Sequence, residues 1–259
     1  MRRLSFLTLS FLMLAAAACL PARAAGAPVV AAAANLGFAL PEIAAAFERA
    51  TGRRVELAFG SSGNLARQIV QGGPYELFLS ADEARVHYVL ERGRAEDAGR
   101  IYAVGRLALF AAHGSPVAVD PELAGLAAAL REGKVRRIAI ANPELAPYGA
   151  AAREVLRRQG LWEAAQGRLA VGENVSQAAQ FALTGAVDAA FIPYSLARAP
   201  TLQGKGAVAL LPDSQHAPIR QRMALLKGAG ETARAFHAFM TGGEARAILE
   251  RYGFASPVE

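Results

Sequence analysis

From residue 27 almost to the C-terminus, short apolar runs alternate with segments whose apolar residues return every three or four positions. Strand–helix alternation of this kind means α/β architecture with mostly parallel sheets. Residues 27–34 read as a first strand. It leads into a helix carrying Leu36, Leu40, Ile43 and Phe47, which stops at Thr51-Gly52. Residues 55–59 and 75–80 are the next strands, separated by a helix through Leu65 and Ile69, and Asp82 caps a third helix. Further strands are expected at 107–112, 137–141, 169–171, 187–192 and 222–226. Helices are expected at 147–159 and 175–183, with two more at the C-terminal end. Periodicity alone fits one large sheet or two lobes equally well.

The chain opens MRRLSFLTLSFLMLAAAACLPARA, a basic head, an apolar run and an Ala22-Arg23-Ala24 exit, the layout of a secretory signal peptide over residues 1–24. As a helix the run would span about 25 Å, short of a ~30 Å hydrocarbon core. Removing Arg2, Arg3 and Arg23 halves the formal charge from +6 to +3. The remaining arginines are scattered, so no nucleic-acid partner is implied. Cys19, the only cysteine, excludes an intrachain disulfide scaffold. It is either lost with the leader or kept as a lipid-modified N-terminus. Both readings export the protein, and an exported chain of this size without disulfides suggests a bacterial cell envelope.

In open α/β sheets, ligands sit beyond the carboxyl ends of strands, against the N-termini of following helices. The residues at those points are Ala34-Asn35, Ser61-Ser62-Gly63, Ser80-Ala81, Pro147-Tyr148-Gly149 and Asn174-Val175. None is charged. They form an inventory of neutral donors, suited to an anion with acceptor oxygens on every side. Each serine or asparagine taken alone is equally an ordinary helix cap.

The stretch AAAANLGFALPEIAAAFERATGRRVELAFGSSGNLARQIVQGGPYELFLSAD resembles the periplasmic molybdate-binding proteins of ABC importers. So do ANPELAPYGAAAREVLRRQGLW, GENV at residues 172–175, and the ending ILERYGF. The resemblance implies a two-lobed, type II periplasmic binding-protein fold with a hinge of two crossing strands. Lobe 1 would be residues 25–104 with 212–259, and lobe 2 residues 105–211. It implies a receptor, not an enzyme, that needs no cofactor and holds molybdate or tungstate through the oxyanion's oxygens. Carried over, the binding residues are Asn35, Ser62, Tyr148 and Val175, with Ala81 as a further contributor. Val175 would act through its backbone N–H. Tyr148 is preferred over Tyr194, which stands one position past the family's late-strand tyrosine. The implied partners are an inner-membrane permease and its ATPase, served by a periplasmic monomer.

A molybdate dianion only accepts hydrogen bonds, and each bond to a charged group contributes about 1.5–3 kcal/mol. Roughly six such contacts are enough for a sub-micromolar complex without an arginine. Sulfate has shorter bonds and does not reach donors spaced for molybdate, while phosphate keeps a proton and needs an acceptor that the expected donors lack. Receptors of the same fold for sulfate, thiosulfate or phosphate are the nearest alternative. A serine hydrolase is the distant one, since Gly60-Ser61-Ser62-Gly63-Asn64 departs from G-x-S-x-G. The four histidines, His87, His113, His216 and His237, show no catalytic or metal spacing and read as surface or helix-face residues.

Overall fold

The computed structural model describes residues 26–257, so the expected leader with Cys19 lies outside the described residues. In chain order the first elements are β1 (Val29–Ala33), α1 (Ala39–Thr51), β2 (Glu56–Gly60), α2 (Ser62–Val70), β3 (Tyr75–Ser80), α3 (Glu83–Glu91) and β4 (Arg100–Gly105). After Arg106 come β5 (Leu107–Ala112), α4 (Ala124–Arg131), β6 (Ile138–Ala141), α5 (Pro147–Arg158), α6 (Trp162–Gln166) and β7 (Leu169–Gly172). Then follow α7 (Val175–Leu183), β8 (Ala189–Pro193), α8 (Tyr194–Ala197) and β9 (Gly206–Leu210). Residues 211–218 lead back to β10 (Ile219–Leu225), α9 (Glu231–Phe239) and α10 (Gly243–Arg251). No helix among the described residues is long and apolar enough to cross a membrane.

The strands form two five-stranded sheets of matching plan, β2-β1-β3-β10-β4 and β7-β6-β8-β5-β9. The fold is therefore two-lobed α/β, but the pairing is mixed rather than mostly parallel. In each sheet three strands run parallel, and one strand antiparallel to both its neighbours separates them from the edge strand. The cause is the double crossing. β4 runs out of the first sheet and continues as β5 in the second, with only Arg106 between them, and β10 returns to lie between β3 and β4. Ala255 pairs with Val104, tying the chain's end to the crossing strand.

The apolar periodicity decides what each helix covers. Leu40, Ile43 and Phe47 of α1 are fully buried, and Gly52, in the left-handed conformation at φ 71°, ends the helix. Leu36 falls in a separate 3-10 turn, Ala34–Leu36, so the expected helix starts later and the turn carries Asn35 to the cleft. The tail helix α9 packs on its own lobe. Phe236 and Phe239 meet Phe47 edge-on, with ring centroids 5.1 and 5.6 Å apart.

Candidate ligand-binding site

The carboxyl ends of β1, β2 and β3 and the turns before α5 and α7 converge between the lobes. Ala33, Ala34, Asn35, Gly60, Ser61, Ser62 and Ala81 face Ala146, Pro147, Tyr148, Asn174 and Val175 across a small cavity. Asn35, Ser62, Ala81, Tyr148 and Val175 thus line one cavity from both lobes, and no lining residue carries a charge. The alanines let backbone and short side chains approach an occupant closely.

Three helices, α2, α5 and α7, point their N-termini into this space. The first N–H groups of a helix lack intrahelical acceptors. Ser61 caps α2 by accepting from Asn64 N at 3.4 Å, and Gly63 N donates to Leu145 O at 2.8 Å. Asn174 caps α7 by accepting from Ser176 N and Gln177 N at 3.0 and 3.1 Å. The capping residues thereby leave the N–H of Ser62 and of Val175 to face the cavity, with the positive helix ends behind them. Neither Ser62 nor Asn35 serves as a cap.

The side chains are also oriented. Ser62 Oγ accepts from Ala81 N at 2.9 Å, so its proton is free to donate outward, and Ala81 acts by aiming the serine. Tyr148, buried to 2% exposure, accepts from Gln221 Nε2 at 2.9 Å. Burial raises its phenol well above the usual range, against the hydrogen bond from Gln221, so it stays protonated. Asn35 Nδ2 donates to Gln221 Oε1 at 3.0 Å. Asn35 Oδ1 is buried without a hydrogen-bond partner, which the sequence reading of donors alone did not anticipate.

Two further expectations are revised or resolved by position. Tyr194 opens α8 outside the cavity, its ring flanked by Arg106 and Arg198 with guanidinium carbons 4.9 and 5.7 Å from the centroid. His216 is buried outside any α-helix instead of lying on a surface or helix face, in the segment that leads back to β10, with its Nδ1 2.8 Å from Ala217 O. His87 and His113 are exposed, and His237 lies on α9.

A profile of bacterial extracellular solute-binding proteins matches residues 28–255. The chain belongs to that family. The molybdate-binding protein ModA of Rhodobacter capsulatus is 39% identical over 242 residues, covering 92% of this chain and 91% of the relative. ModA of Azotobacter vinelandii is 36% identical over 228 residues, covering 87% and 88%. A solved structure of the A. vinelandii periplasmic molybdate-binding protein superposes with a TM-score of 0.81 at 33% identity, covering 89% of this chain and all of that one.

In this solute-binding protein the cleft is closed. Besides the Gly63–Leu145 contact, Asn64 Nδ2 donates to Glu173 Oε1 at 2.6 Å, Arg85 Nη2 to Glu144 O at 2.8 Å, and Ser195 Oγ to Asn35 O at 2.9 Å. Sequence reasoning missed Gln221 and Tyr102, which stand behind the cavity wall. The signal for Gln221 was its phase, since it shares the inward face of β10 with Ile219 and Met223.

Proposed function

We propose that this chain captures molybdate or tungstate between its lobes and presents it to the permease and ATPase of an ABC importer, working as a periplasmic monomer exported by residues 1–24. The observation that carries the reading is the cavity itself: three helix N-termini with Asn35, Ser62 and Tyr148, and no charged side chain. Such a wall suits a dianion that only accepts hydrogen bonds. The relatives named for molybdate support the choice of ion. Molybdate and tungstate, nearly equal in size, are expected to bind alike. Binding is favoured over ester hydrolysis because the Ser62 hydroxyl is met by a backbone amide, and Ser61 is engaged as a helix cap.

One observation favours a second oxyanion. Asn35 Oδ1 is an acceptor in want of a hydrogen, which hydrogen phosphate would bring and molybdate would not. Calorimetric titration of the leaderless protein with molybdate, tungstate, sulfate, thiosulfate and phosphate tests both readings. Molybdate and tungstate are expected to bind below micromolar and the others far more weakly. The absence of both heat and a thermal shift with molybdate would reject the assignment, and tight phosphate binding would replace it.

A further inference from the structure

Behind the cavity, three hydrogen bonds that meet at Gln221 join four polar side chains. Gln221 lies on β10, the returning hinge strand, and is fully buried. Its Oε1 receives Asn35 Nδ2 at 3.0 Å and the Tyr102 hydroxyl at 2.8 Å, while its Nε2 donates to the Tyr148 hydroxyl at 2.9 Å. Tyr102 belongs to β4, the outgoing hinge strand, Asn35 to the first lobe and Tyr148 to the second. A carboxamide has one accepting and one donating end. Oε1 takes Asn35 Nδ2 and the nearer of two acceptor contacts of the Tyr102 hydroxyl, whose other is Ser80 O at 3.2 Å, which leaves Nε2 to donate to the phenol oxygen. With that lone pair occupied, the single phenol proton is not spent on Gln221 and is available to the cavity that Tyr148 lines. The backbone makes room for this arrangement at Gly105, where a Cβ would overlap the Tyr148 hydroxyl and come within 2.6 Å of Gln221 Nε2.

We propose that Gln221, set by Tyr102 and Asn35, is the positioning residue that turns the Tyr148 proton towards the bound oxyanion, and that it does so from the hinge. The inference rests on the reading of the cavity as an oxyanion site. Gln221 touches no ligand in this scheme, and the part of its effect that runs through the phenol, rather than through Asn35, must vanish when the phenol is gone.

A double-mutant cycle reads that dependence. Sodium molybdate is titrated calorimetrically into wild type, Gln221→Met, Tyr148→Phe and the double variant, with thermal melts reporting folding. Gln221→Met is expected to bind about tenfold more weakly, the loss of one charge-assisted bond. The double variant is expected to bind within about threefold of Tyr148→Phe alone. Tyr102→Phe, a smaller change that keeps the ring packing, follows the same rule should Gln221→Met fail to fold. Losses that simply add, or unchanged affinity in Gln221→Met or Tyr102→Phe, would overturn the role of Gln221 while leaving the oxyanion assignment intact. A wild-type protein that ignores molybdate defeats the assignment itself.

Discussion

In the first lobe the sheet separates two cores: Leu36, Leu40, Ile43, Phe47 and Phe236 fill one face, and Leu65, Ile69, Phe78, Val86 and Val89 the other. In the second lobe one core runs unbroken from Phe110 and Phe191 to the cleft, where it continues into Ala33, Ala34 and Ala81 of the first lobe. Two sheets of one plan are thus finished differently. The first lobe is complete in itself, while the second is completed partly by closing on its neighbour. Burial at that contact is lost when the cleft opens, so ligand-driven closure should protect the second lobe more than the first.

The largest effect expected from this contrast is Phe47→Ala, which empties a closed core and removes two edge-on aromatic contacts. It should cost about 3–5 kcal/mol, seen in chemical denaturation, with molybdate affinity of the remaining folded protein unchanged. A parallel loss of affinity would mean that the first lobe's core is coupled to the cleft after all. Next come Ser62→Ala and Tyr148→Phe, one donor from each lobe. Each should weaken binding by about 1.5–3 kcal/mol, roughly 10- to 100-fold, in titrations of proteins that melt normally. Equal losses would show the lobes sharing the ion evenly.

Asp188 sharpens the comparison from the second lobe's far side. Its burial acts to raise the carboxyl, but the backbone N–H groups of Arg137 and Arg136, with the Arg136 guanidinium, outweigh it and leave the pKa lowered. A lowered folded value contributes stability above the ordinary carboxylate pKa, lost as pH falls through the folded one. Asp188→Asn should therefore destabilise by about 1–3 kcal/mol at pH 7 and by progressively less in acid, measured as melting against pH. A constant difference at every pH would argue that shape, not charge, matters there. The smallest effect is expected at the rim. Arg85→Ala removes an exposed contact to Glu144 O and should change affinity by less than about 1 kcal/mol.

Much of this was legible in the chain because local signals coincide with the final contacts. Tyr75–Ser80 and Val175–Leu183 were read to the residue, bounded by Gly72-Gly73 and by the Asn174 cap. Strands β4 and β9 escaped because each is a sheet edge whose partner arrives from far along the chain, β10 for the one and β5 for the other. Helix α4 escaped because its capping side chain sits three residues before the N-cap position: Asp120 accepts from Ala124 N while Leu123 takes a left-handed conformation. Within the site, the turn residues marked what lines the cavity. Gln221 lies in no such turn, and its phase with Ile219 and Met223 is masked by the flanking Arg220 and Arg222 until the crossing strands enclose it.

At Gly63 the two halves touch main chain to main chain, and a single added methyl there would press against Leu145 O at 2.9 Å and Leu145 Cα at 3.0 Å. Nothing at that contact can swing aside, so alanine at position 63 would act as a doorstop. Small-angle scattering of such a variant in saturating molybdate should record jaws held ajar, a receptor that meets its cargo but never finishes its bite.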